Sequence, residues 1–222
     1  ERASARETTM RVAAGAVCKH FLAQFGIIVG GYVTSIGEIQ TDLGDMPYEE
    51  RFARAEMSEV RCPIEISAKK MRNEIEKTFF DKNTLGGMLE IVSLNAPVGL
   101  GSFIQWDKRL EAKLAMAIMS VQAIKGVEVG NAFENARLPG TRAHDPITLE
   151  RSNPSTLPSV ARQRVQRSTN RAGGIEGGIS NGQPIIIRAA MKPIATTLLP
   201  QSTVDLASGQ ESPTNYERSD FC

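Results

Sequence analysis

The chain has 222 residues, enough for one or two domains with a sizeable core. Its 26 Lys and Arg residues nearly balance 25 Asp and Glu residues, and the net charge of +1 argues against a generic nucleic-acid surface. No apolar run approaches the roughly 18–20 residues that span a bilayer, no signal peptide is visible, and Cys18, Cys62 and Cys222 form neither a disulfide framework nor a metal-ligand pattern, so reduced thiols in a cytoplasmic protein are expected.

Ser4 to Gln24 reads as a helix, with Met10, Ala13, Ala14, Val17 and Phe21 in one apolar stripe and Ser4 and Glu7 spaced as a capping box. Gly26–Ile39 then reads as a strand with glycine interruptions, and Ser67–Phe80 as an amphipathic helix. Met88–Leu94 and Val98–Gln105 read as strands of a hairpin turned at Asn95-Ala96-Pro97. Leu110–Ile124 predicts a different kind of helix. Leu110, Leu114, Ile118 and Val121 line one face, while Met116, Met119 and alanines cover the others, so burial on several sides is expected. Gly126–Gly130 and Pro184–Met191 are predicted strands. Residues 139–182 are rich in Arg, Ser, Pro and Gly with little periodicity, which marks a functional or flexible segment.

Five glycines fall within residues 173–182 of the run Asn170-Arg171-Ala172-Gly173-Gly174-Ile175-Glu176-Gly177-Gly178-Ile179-Ser180-Asn181-Gly182-Gln183-Pro184. Glycine lets a ligand approach the main chain, and consecutive exposed N–H groups bind phosphate or ring oxygens. A linker is the bland alternative, but linkers lack interleaved Ile and Pro. The spacing matches neither G-x-G-x-x-G nor the P-loop pattern.

This run resembles the glycine-rich motif of chorismate synthases. Arg2-Ala3-Ser4-Ala5-Arg6-Glu7-Thr8-Thr9-Met10-Arg11-Val12-Ala13-Ala14-Gly15-Ala16, Gly126-Val127-Glu128-Val129-Gly130, Lys192-Pro193-Ile194-Ala195-Thr196 and Arg218-Ser219-Asp220-Phe221-Cys222 resemble the same family, in its order along the chain. The resemblance implies an α+β fold, a layered sandwich of helices packed between antiparallel sheets. It also implies a phosphate lyase that converts 5-enolpyruvylshikimate 3-phosphate into chorismate by anti-1,4-elimination, in aromatic amino-acid biosynthesis. Reduced FMN is its expected cofactor, NADP is associated with the supply of reduced flavin, and a cytoplasmic homotetramer is its expected form.

Carried over residue by residue, the resemblance places Arg2, Ala3 and Ser4 against the flavin and Arg6 on the substrate. The bland reading of these residues is a capped, solvated helix end, although a helix start flanked by arginines also suits an anion. Gln122 and Ala123 match a flavin-facing pair in which the family often has Asn in place of Gln122, and their bland reading is plain helix termination. Gly177 matches a flavin-loop position. Lys192, Pro193, Ile194, Ala195 and Thr196 match an FMN-binding segment in which a point charge and a hydroxyl suit phosphate or anionic flavin. Arg218 matches a flavin- or substrate-binding arginine. Asp220 matches a carboxylate that assists proton removal.

The histidines depart from the pattern. His20 and His144 are the two present, and the two catalytic histidines that the resemblance implies are expected before Glu1, with further substrate-binding arginines. The chain is thus expected to be one chorismate synthase domain over 1–222, incomplete at its N-terminus and also at its C-terminus, with 139–182 as a flexible flavin loop. Alone it is expected to be inactive. A non-catalytic flavin- or phosphate-binding fragment is the alternative. An RNA-binding module on Arg151, Arg162, Arg164, Arg167 and Arg171 is a third reading, weakened by the scarcity of aromatic stacking platforms.

Overall fold

The computed structural model describes residues 6–149 and 165–215. In chain order the elements are α1 (Arg6–Ala23), β1 (Ile28–Ile36), β2 (Ile39–Gln40), α2 (Tyr48–Glu56), α3 (Glu65–Phe80), β3 (Gly87–Leu94), a 3-10 turn at Trp106–Lys108, α4 (Leu110–Met119), β4 (Ile124–Val129), α5 (Ala132–Asn135), α6 (Gly140–Ala143), β5 (Ile147–Leu149), β6 (Val165–Arg167), β7 (Ile175–Glu176), β8 (Ile179–Ser180), β9 (Ile185–Met191), β10 (Ser202–Asp205) and β11 (Gln210–Pro213). The α+β class and the antiparallel pairing hold. The central sheet has the order β2-β1-β3-β9-β4, with three two-stranded hairpins beside it.

Strand alternation sends successive side chains to opposite faces. On one face Tyr32, Val92, Leu94 and Ile186 pack with Ala55, Phe52 and Tyr48 of α2. A Cβ at Gly30 would collide with the Phe52 ring, which accounts for one of the glycines that interrupt β1. On the other face Ile185 and Ile187 pack with Leu110, Leu114 and Ile118 of α4. A third cluster holds α3 against β1 and β2 through Ile36, Cys62, Ala68 and Met71.

Several sequence expectations change. The strand expected over Val98–Gln105 is absent. Gly99 and Gly101 have φ of 96° and 100°, and the segment joins β8 instead, with Ser180 N–H donating to Leu100 O at 2.9 Å. The true neighbours of β3 are β1 and β9. The helix expected to Ile124 ends at Met119 and packs on the sheet by one face, leaving Met116 70% exposed. The stripe on α1 is likewise exposed, with Val17 at 71%. The segment 139–182 carries α6 and short hairpins in its described parts. Helix α2 escaped the sequence reading, although Pro47 followed by Glu49 and Glu50 is a helix-start signal.

Candidate functional site

Strands β4 and β9 run antiparallel with Ile124 opposite Met191. The residue before β4 therefore lies beside the residue after β9, and Lys192 N–H donates to Ala123 O at 2.9 Å. Ala123 adopts φ of 67°, the left-handed region that a Cβ disfavours by about 1–2 kcal/mol. That angle turns the chain from the exit of α4 into β4. The Gln122 side-chain amide donates to Glu7 Oε2 at 2.7 Å, bringing the start of α1 to the same place. Glu7 Oε1 accepts from Arg11 Nε at 2.9 Å, and Arg11 Nη1 donates to Ser120 Oγ at 2.7 Å. The Lys192–Thr196 segment is held by the Thr84 hydroxyl, which donates to Ile194 O at 2.7 Å. A Cβ on Gly86 would come within 2.9 Å of Pro193, so glycine lets the segment pass. Beyond it, Ala195 and Thr196 line a cleft of about 290 Å³ with Thr197, Thr203, Thr214 and Asn215. Three of the sequence-predicted segments thus converge: the α1 start with Arg6, Gln122–Ala123, and Lys192–Thr196.

Gly177 lies elsewhere. The β7–β8 turn caps the other end of α4, where Leu110 N–H donates to Gly178 O at 2.9 Å. Ten residues of α4 span about 15 Å, so the described residues do not bring Gly177 into the Lys192 cluster. Most of this loop is glycine for packing. A Cβ on Gly174 would come within 2.5 Å of Pro184 O, whereas one on Gly177 would meet nothing within 4 Å. Gly177 is the loop position whose main chain faces open space at φ of 61°.

Asp145 fixes the base of that loop. Its Oδ1 accepts from Thr169 Oγ1 at 2.5 Å and from Arg171 N–H at 2.7 Å, and its Oδ2 accepts from Ala172 N–H at 2.9 Å. Burial works against its charge, but these donors outweigh it and hold the carboxyl below its ordinary range. Asn170 adds a second pin, donating to Pro184 O at 2.8 Å and accepting from Gly174 N–H at 2.8 Å.

The sequence reading missed a polar ladder on the α2 face of the sheet. Tyr32, Glu90, Arg188 and Glu128 stand opposite one another on β1, β3, β9 and β4. The Tyr32 hydroxyl donates to Glu90, and Arg188 Nε donates to Glu90 Oε2 at 2.8 Å. Glu128 Oε2 lies 3.6 Å from Arg188 Nη1, and Glu90 is only 4% exposed. Burial and then the Glu90 bond push the Tyr32 hydroxyl well above its ordinary range. Arg51 donates to Tyr32 Oη and to the carbonyls of Gly44 and Met46, and stacks on the Tyr48 ring. Tyr48, Arg51, Glu90 and Arg188 line a cavity of about 630 Å³ that reaches Arg171. A signal existed, because Glu90 and Arg188 are charges set inside apolar strand sequences and such charges need partners.

Arg2, Ala3, Ser4, Arg218 and Asp220 lie outside the described residues, as do Arg151, Arg162 and Arg164. Arg167 pairs with Glu176 at 2.6 Å and Arg171 with Glu134 at 3.0 Å. His20 stands in the last turn of α1, and His144 follows α6 beside Asp145. Among the described residues, no group of three or more His, Cys, Asp or Glu is arranged to hold a metal ion, and no helix is long and apolar enough to cross a membrane.

The family model for chorismate synthase matches residues 1–222. The chorismate synthase of Sulfurihydrogenibium sp. (strain YO3AOP1) is 49% identical over all of this chain and 55% of the relative. That of Trichlorobacter lovleyi is 46% identical over all of this chain and 56% of the relative. A crystal structure of a chorismate synthase superposes with a TM-score of 0.78 at 44% identity, covering 87% of this chain and 57% of that one. The chain spans about half the length of the curated relatives it matches. It belongs to the chorismate synthase family.

Proposed function

We propose that the protein to which this chain contributes eliminates phosphate from 5-enolpyruvylshikimate 3-phosphate to give chorismate, with reduced FMN, as a cytoplasmic homotetramer. The observation that carries the reading is the meeting of Arg6, Gln122–Ala123 and Lys192–Thr196, three segments that the resemblance assigns to one ligand site from distant parts of the sequence. The donor set fits FMN. An ammonium from Lys192 and the Thr196 hydroxyl at a threonine-lined cleft suit a phosphate and an anionic ring. Reduced FMN, when bound, supplies transient electron donation that weakens the C–O bond, without net redox change. Arg6 holds substrate anions, Arg2, Ala3, Ser4 and Arg218 complete the binding surface, and Asp220 assists removal of the ring proton. Gly177 is the flavin-loop position of the same reading, at the other end of α4 from this cluster.

Anaerobic phosphate release by the full-length protein tests this. Turnover is expected with reduced FMN and not with oxidised FMN, and equal rates in both would refute the reading. The 222-residue polypeptide assayed alone is expected to be slower by at least about 10², the usual contribution of a general acid. His20 stands about 21 Å along α1 from Arg6, too far to supply one there.

A further inference from the structure

Helix α1 is oriented by polar contacts rather than by packing. None of its 18 residues is buried among the described residues. Its C-terminal end is tied to the sheet, because it leads directly into β1 and the Asn95 amide donates to Gly26 O at 3.1 Å. Its first turn lies about 27 Å away along the axis. That end is fastened through Glu7, whose two carboxylate oxygens take different partners: Oε2 the Gln122 amide, Oε1 the guanidinium of Arg11, which itself donates to Ser120. Gln122 and Ser120 belong to the turn whose next residue, Ala123, accepts from Lys192 N–H.

We infer that Glu7 is a positioning residue of the flavin site, clamping the first turn of α1, and with it Arg6, to the Gln122–Ala123 turn. The inference rests on the FMN reading above. A carboxylate suits the task because it accepts two bonds at once, and bonds to an ionised group are stronger than neutral ones. The Glu7 carboxylate bonds to Gln122 of the proposed flavin surface and is itself assigned to neither flavin nor substrate. It sets the distance between two segments that are assigned to them.

The test uses the full-length protein and two measurements. The first is the FMN dissociation constant of wild type, E7A, E7Q, Q122E and E7Q/Q122E. E7A is expected to weaken FMN by about tenfold or more, the scale of a lost bond to a charged group. Q122E opposes two carboxylates across the clamp, so its penalty is expected to be at least about tenfold larger in wild type than in E7Q. Any direct repulsion of FMN by the new carboxylate is the same in both backgrounds and cancels. The second measurement is amide exchange of residues 120–123 in the ligand-free protein, expected to quicken in E7A by about tenfold. A wild type that ignores FMN overturns the flavin reading while the exchange result still judges the clamp. FMN binding by E7A equal to wild type, or an equal Q122E penalty in both backgrounds, refutes the positioning role. Unchanged exchange at 120–123 refutes the clamp itself.

Discussion

Replacing Arg188 by Met should destabilise the protein through the charges it leaves behind. Arg188 lies between two carboxylates in register, Glu90 at 2.8 Å and Glu128 at 3.6 Å, with side chains only 5% and 11% exposed. Removing one partner of a buried ion pair typically costs about 3–5 kcal/mol. Two features pull the figure toward the lower end. Glu90 keeps the Tyr32 hydroxyl and has Arg51 at 3.9 Å, and Glu128 keeps the Phe133 N–H at 2.8 Å. A loss of about 3 kcal/mol at pH 7 follows, and with a urea slope near 3 kcal/mol/M the midpoint falls by roughly 1 M. The signature is a change of sign. Glu90→Gln alone breaks a pair and destabilises, whereas in the Arg188→Met background it removes one of two stranded charges and restores stability. Urea unfolding of the four variants measures both effects. A deficit below about 1 kcal/mol at pH 7, or a Glu90→Gln effect of the same sign in both backgrounds, would show that the ladder does not carry buried charge.

Asp145→Ala should speed amide exchange across residues 169–174, where three hydrogen bonds are lost, and destabilise that segment by about 2–3 kcal/mol. Since the folded Asp145 carboxyl lies below its ordinary value, its stabilisation is complete above about pH 4 and fades as pH falls through the lower folded value. The wild-type loop should therefore loosen in acid while the variant shows no such fade, and identical acid profiles would count against the pin. At Ala123, substitution by Gly should leave thermal stability unchanged or raise it by up to about 1 kcal/mol, and substitution by Val should lower it by about 1–2 kcal/mol. Equal melting temperatures for the two would mean that the left-handed turn is not maintained.

The sequence was legible where a local period or an apolar run decides the element. The 3.6-residue period of α1 and α3 and the apolar run Ile185-Ile186-Ile187 predicted their elements to within a few residues. The hairpin expected at Asn95-Ala96-Pro97 failed because Gly99 and Gly101 take positive φ and carry the chain to β8, a non-local pairing that no short window contains. The early end of α4 was hidden for a related reason. Ala123 has no residue-type preference for the left-handed region, so nothing in Val121-Gln122-Ala123-Ile124 announces a turn. The glycine-rich run announced flexibility and ligand contact together. Its contacts separate the two, since Gly174 is needed against Pro184 whereas Gly177 faces open space. Glu90 and Arg188 stood out as charges in apolar strands, but their pairing did not, because register, not spacing, sets Glu90 against Arg188 and Arg188 against Glu128.

Register also explains why the candidate site forms where it does. Gln122 and Glu7 are 115 residues apart in sequence, and β9 is reached only after the whole 139–182 excursion. Two features close these gaps. Antiparallel pairing of β4 with β9 puts the entry of one strand beside the exit of the other, and a bulge between Ile124 and Gly126 shifts the register there. A bulge adds one residue to one strand and re-aims its end. Beyond it, Gly126 opposes Ala190 while Ile124 opposes Met191, so Lys125 is absorbed and Ala123 arrives beside Lys192. Were Lys125 paired with Met191 instead of absorbed, Ile124 would oppose Lys192, and the side chains preceding Lys125 would turn to the opposite face. The Lys192 N–H would then face a different carbonyl, and the amide of Gln122 would no longer point at Glu7. The position of the site is thus fixed by one extra residue in β4 and the charge clamp at Glu7, neither of which is itself assigned to ligand.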